Sequence, residues 1–274
     1  MAQPDIRSGS DLESNALPYV APSRIIDTNA PLRWLKLGWE DYKQAPGVSL
    51  LYGGFLVLIS YILAFFTWKL GGYILLFSLM SGFVFIAPVL AIGLYSISCQ
   101  LQAGLKPKLG YCLREGKRHL GNELVYSMIL LVLFMLWARA GSVTHIFFPD
   151  EGNPAFSDLA LFLSIGSVVG AIFATLVFST SAFSLPMMLD RKVDAVTAVL
   201  TSVSAVRRNK AAMALWAGII LLAVILSFAT AFLGLAVFIP VIGYATWHGY
   251  QDTILAEQWP ENSKPGDSLC SQPD

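Results

Sequence analysis

The sequence predicts an all-α membrane protein: six transmembrane helices arranged as three helical hairpins, with amphipathic helices along the cytosolic surface and both termini cytosolic. Three observations predict it. Charged residues make up only 13% of the 274 residues and mean hydropathy is +0.63, so there is too little charge to cover a soluble surface. Apolar runs able to cross roughly 30 Å of hydrocarbon recur along the chain. The 18 basic and 18 acidic residues are segregated, with the basic ones concentrated in alternate connections. A net charge of zero gives no global field for nucleic acid, and none is expected as a partner.

Residues 1–30 are polar, carry Pro4, Pro18 and Pro22, lack a signal-peptide pattern, and are expected to form a disordered cytosolic arm. From Pro31, Leu32, Leu35, Trp39 and Tyr42 recur at steps of three and four with charges between them, the pattern of a surface helix. Residues 48–67 carry no charge and form the first expected span; 73–98, with Pro88 in its last third, form the second. Residues 99–122 hold Lys106, Lys108, Arg114, Lys117 and Arg118 beside Leu109, Leu113 and Leu120, which predicts a second basic surface helix.

The third span is expected over 124–138 and the fourth over 159–185, the latter containing a Gly166/Gly170 pair at the spacing that lets helices approach closely; packing within the bundle is the expected use of that pair. The segment 182–210 then leaves the bilayer. It passes Pro186, turns charged at Asp190, Arg191 and Lys192, and carries Val193, Val196, Leu200, Val203 and Val206 at helical spacing, as expected of a helix lying on the membrane surface. Residues 211–250 lack Asp, Glu, Lys and Arg; a turn near 230–234 divides them into spans over 212–230 and 234–250, and 251–274 form a polar cytosolic tail. Each returning span ends in a Phe and a Pro, at Phe85/Pro88, Phe183/Pro186 and Phe238/Pro240, which suggests one hairpin used three times.

Four stretches, GWEDYKQAPG (38–47), GLYSISCQL (93–101), SLPMMLDRKVDAVTA (184–198) and GYATWHGY (243–250), resemble a bacterial family of predicted integral membrane proteins of unknown function, the domain of unknown function 2189 type. The likeness runs over about 32–250. Some members of that family are labelled putative cytochrome c oxidase subunits, and in it a second His often stands where this chain has Tyr244.

Haem–copper chemistry needs several imidazoles inside the bundle. The chain has only His119, His145 and His248, and of these only His248 touches an expected span. No nucleophile, phosphate-loop, dinucleotide or zinc-protease motif is present, so no catalytic residue, metal or cofactor is expected, and the protein is read as not an enzyme. No expected span carries an ionisable group in its interior, which argues against an ion-coupled pump. The chemistry-bearing residues instead fall near the cytosolic ends of the spans: Trp39, Asp41, Tyr95, Asp190, Arg191, Trp247 and His248 are expected to gather there. The function expected is that of a bacterial inner-membrane structural or accessory component, binding anionic lipid headgroups or a membrane-protein partner through its basic surface helices. The alternative is a small transporter or channel through the bundle.

Overall fold

The structure, a computed structural model, describes residues 18–70, 73–144 and 156–262, with side chains described except at 70, 73–86, 109, 111–120, 144 and 158. His145 and the outer parts of the expected arm and tail, 1–17 and 263–274, lie outside the described residues. Among the described residues nine helices follow in order: α1 Ala30–Gln44, α2 Pro46–Leu70, α3 Tyr73–Gln102, α4 Leu109–Thr144, α5 Phe156–Ser181, α6 Ser184–Asp190, α7 Ala195–Arg208, α8 Lys210–Ala229 and α9 Leu235–Thr253.

Among the described residues four segments are long and apolar enough to cross a membrane: Pro46–Lys69, Gly121–Val143, Leu159–Asp190 and Lys210–Ala229. The chain is therefore a multi-pass membrane protein, but the expectation of six spans in three hairpins is overturned. α9, the expected sixth span, breaks the rule for a physical reason visible in its residues. Only Leu235 to Ile242 is a continuous apolar run, about 12 Å of helix against the ~30 Å a span needs. Beyond it come Tyr244, Thr246, Trp247, His248, Tyr250, Gln251 and Asp252, and none of residues 235–250 is exposed. α9 is an interior helix. The described half of α3, the expected second span, is likewise interior, with Ile92, Leu94, Tyr95, Ile97 and Ser98 buried.

The pairing also differs from three hairpins. α9 packs chiefly on α1 and α2 and only lightly on α8, while α3 packs chiefly on α4 and barely on α2. Gly53 is what allows α2 so close to α9, because a Cβ there would collide with the backbone of Ala236. The Gly166/Gly170 pair on α5 does not pack within the bundle, since a Cβ at either position would meet nothing within 4 Å. The second basic surface helix is not a separate element either. α3 continues to Gln102, and the helix that follows, α4, runs 36 residues without a break from Leu109 into the span. The expected turn at 230–234 is where α8 and α9 separate, with Ala231 and Phe232 at φ of 50° and 68°.

The packed core lies at one end of the bundle. Trp34 from α1 meets Trp216 of α8 and Phe183 edge-on, with ring centroids 5.8 and 6.3 Å apart, and Trp247, Tyr250, Met187, Met188 and Trp259 are buried with them. The outward faces of the spans carry exposed Leu, Ile, Val and Phe, as expected where the solvent is hydrocarbon.

Two extended segments close this polar end. Residues 18–29, the inner part of the expected N-terminal arm, run across it. Ala21 donates to Thr201 Oγ1 at 2.9 Å, Arg24 to the Thr253 carbonyl at 2.8 Å, Leu255 to the Pro22 carbonyl at 2.9 Å, and Ile26 to Asn209 Oδ1 at 3.0 Å. Residues 254–262, the inner part of the expected tail, cross from α9 to α6. Asn262 Nδ2 reaches the carbonyls of Met188, Leu189 and Arg191, at 3.0, 3.0 and 2.9 Å, and so satisfies acceptors that the end of a helix leaves open.

Candidate functional site at the polar end

The last two turns of α9 form a hub, because consecutive side chains point to different neighbours. His248 faces α1 and α3. Its Nε2 lies 2.9 Å from Asp41 Oδ2, the atom that also accepts from the Ser98 hydroxyl. Its Nδ1 lies 3.2 Å from Gln102 Nε2. Trp247 donates its indole N–H to Gln102 Oε1 at 2.9 Å, and Gln251 exchanges two hydrogen bonds with Gln102, at 2.9 and 3.0 Å.

An indole can only donate, so Trp247 fixes which way the Gln102 amide points. The amide N–H of Gln102 then meets His248 Nδ1, which must accept, and the ring proton sits on Nε2, directed at Asp41. Both ring nitrogens are occupied. The assembly acts as a polar clamp on α1, α3 and α9.

Tyr250, three residues beyond Trp247, turns to α6. It donates to Asp190 Oδ2 at 2.7 Å, and Arg191 Nε donates to the same oxygen at 2.9 Å. Arg191 also donates to the Trp259 carbonyl at 3.1 Å and lies 3.6 Å from Glu261. Burial works against the Arg191 charge, but the hydrogen bond and charge of Asp190 outweigh it and raise its pKa. Burial, then the Asp190 carboxylate, push the Tyr250 phenol far above its ordinary value. Arg191 thus ties the segment 254–262 to the end of α6. Arg191→Ala is expected to cost about 1–3 kcal/mol and to speed hydrogen exchange at the amides of Lys192 and Asn262, which bond the Pro260 and Asp190 carbonyls. Exchange in α5 and α8 stays unchanged.

Of the seven residues singled out from sequence, the structure joins Asp41, Trp247 and His248 in one network, and Asp190 and Arg191 in a second that shares the end of α9. It does not join the other two. Tyr95 is buried in the core with Tyr126, and Trp39 is 44% exposed on α1, stacked on Tyr42 at 5.4 Å with ring planes 3° apart. Sequence reasoning missed Gln102, Tyr250, Gln251 and Asn262, which complete the networks. Ser98 and Gln102 carried a usable signal, lying one turn apart on a helix whose next neighbours are apolar. It also missed Asp252, which accepts from Trp34 Nε1 at 2.9 Å and pairs with Arg33, and Glu123, buried near the start of the α4 span.

α7 begins at Asp194, whose side chain accepts from the Thr197 amide at 3.0 Å and caps the helix. Burial opposes its charge, but the bonds from Thr197 outweigh that and lower its pKa. A folded pKa below the unfolded one adds stability at neutral pH that disappears as pH falls through the folded value. Asp194→Ala is therefore expected to cost about 0.5–2 kcal/mol at pH 7. The gap from the unsubstituted protein closes in melts run well below the carboxylate range.

Four candidate spans among the described residues, an interior polar clamp and a closed polar end define an all-α multi-pass membrane protein. Residues 75–190, from the start of α3 to the last residue of α6, match the model of a family described as predicted integral membrane protein (DUF2189). No curated protein and no solved structure matches the chain. The matched stretch is shorter than the 32–250 over which the resemblance was read: it contains Tyr95 and Asp190 but stops short of Arg191 and excludes Asp41 and 243–250. Among the described residues no three His, Cys, Asp or Glu side chains gather as metal ligands.

Proposed function

We propose that the protein is a non-enzymatic accessory component of a bacterial inner membrane, with both termini cytosolic, whose polar end rests on anionic lipid headgroups through α7. The observation that carries this reading is the way α7 is mounted. It links the spans Leu159–Asp190 and Lys210–Ala229, so it sits at the membrane surface. Its inner face is made of small residues, Ala198, Thr201, Ser202 and Ala205, all buried. Ser202 binds it to the end of α5, donating to the Ser179 carbonyl at 2.8 Å and accepting from the Phe183 amide at 3.1 Å. The opposite face presents Val196 and Leu200, 51% and 44% exposed, on the same stripe as Arg207, with Arg208 and Lys210 exposed beside it. An apolar stripe ending in cations suits a bilayer boundary, and each cation near an anionic surface contributes on the order of 1 kcal/mol.

The basic connections gather at this end while Lys69 and Arg139 are at the other, which supports the cytosolic assignment of the polar end. The test uses the whole protein in nanodiscs of neutral or partly anionic phospholipid, with hydrogen exchange read across 195–208. Anionic lipid is expected to slow exchange there in a salt-sensitive way, with the gain lost in an R207Q/R208Q variant. Equal protection in both lipids overturns the proposal.

A further inference from the structure

A cavity of about 570 Å³ lies between α2, α3 and α9, with Phe134 of α4 on its far wall. Its walls are hydrocarbon: Leu56 and Leu63 from α2, Ala91 and Leu94 from α3, Ile239 and Ile242 from α9. Of the four hydroxyl-bearing residues that line it, Ser60, Thr67, Tyr95 and Thr246, two bond to their own helix. Ser60 donates to the Leu56 carbonyl at 2.9 Å and Thr246 to the Ile242 carbonyl at 2.7 Å, so neither is held out for a polar ligand.

The cavity's position follows from the packing. Toward the polar end the three helices are drawn together, where the Tyr52 hydroxyl meets the Leu90 carbonyl and Gly243 lets α9 close on Leu94. Among the described residues α2 and α3 have little contact. Lining residues on α2 run from Leu56 to Thr67, eleven rises or about 16 Å along the axis, within the span Pro46–Lys69. The space is therefore long, parallel to the helices, at hydrocarbon depth and shut toward the polar end.

We propose that this cleft holds one acyl chain of a membrane lipid. An apolar cavity does not retain water, and a void of this size left empty forfeits the packing of every side chain around it. At this depth the molecules in contact with the protein are lipid chains, which already run parallel to the spans. The volume is within the ~300–1,000 Å³ of small-molecule sites, and the walls select for hydrocarbon. A transport path for ions or polar solutes would need the opposite lining.

The test reconstitutes the whole protein in nanodiscs containing a phospholipid with a photoactivatable diazirine in one acyl chain, and maps the adducts by mass spectrometry. Adducts on Leu63, Ile239 and Ile242 are expected to exceed, several-fold, those on Phe65 and Phe66, which face outward from α2. Ala91→Trp, which fills the cleft, should remove most of the cleft adducts and leave those on Phe65; Leu63→Trp provides an independent filling from the other wall. Equal labelling of cleft and outward faces in the unsubstituted protein overturns the proposal whether or not the variants fold. So does cleft labelling unchanged in a Trp variant that elutes normally.

Discussion

Trp34→Ala is expected to lower stability by about 3–5 kcal/mol, while Trp68→Ala changes it by no more than about 0.5 kcal/mol. Both are tryptophans on the first two described helices of the chain. The structure separates them. Trp34 is 1% exposed and Trp68 79%. Trp34 packs edge-on against Trp216 and Phe183, lies against Gly249 of α9 and bonds Asp252, so its removal opens a void where α1, α8 and α9 meet and leaves a carboxylate short of a donor. Trp68 is at the far end of α2. Thermal melts of the two variants in one detergent decide the matter, and similar midpoints would contradict a core placed at the polar end.

Gly38→Val is expected to destabilise by at least about 1–3 kcal/mol and to loosen α1 from α9. A Cβ at Gly38 would stand 2.5 Å from the Val241 carbonyl oxygen and 2.7 Å from the Ala245 nitrogen. Both are backbone atoms of a buried helix and cannot swing aside as a side chain could. Gly54→Val is the matched control, because nothing lies within 4 Å of its Cβ position. Faster exchange in α1 and α9 of the Gly38 variant alone is the expected reading; equal behaviour of the two variants would show that α1 does not depend on that close approach.

Composition and periodicity reveal an α-helical membrane protein because they report local solvent preference. The amphipathic pattern of α1 and α7 and the turn at 230–234 follow from such signals. Burial of a helix by other helices leaves a weaker mark. The Leu235–Ile242 run looks like part of a span, since a side chain facing lipid and one facing Leu or Ile are alike in sequence; only the short apolar length and the polar turns after it show that α9 belongs inside. Hairpin pairing was also out of reach. Phe and Pro near each exit recur, but they say nothing about which helix packs on which, and the close approaches at Gly38, Gly53 and Gly243 depend on partners far along the chain. Asp41 and His248 stood out as polar residues at helix ends, whereas Asn262 did not, because an amide side chain in an extended segment has no distinctive spacing and acquires its role from the carbonyls brought to it.

The placement of α9 inside the bundle is tested most directly by spin labels placed singly along α9, from residue 235 to 250, and along α5, from 161 to 177, in nanodiscs, with relaxation by lipid-soluble oxygen as the readout. On α5, whose Leu161, Val168, Ile172 and Leu176 are exposed, oxygen access should be high and rise and fall with the helical period. On α9 it should stay low except at Leu235, Ile239 and Ile242, which line the cleft. A second face of α9, away from Leu235, Ile239 and Ile242, as accessible as that of α5 and recurring every three to four residues, would place α9 against bulk lipid and contradict an interior α9.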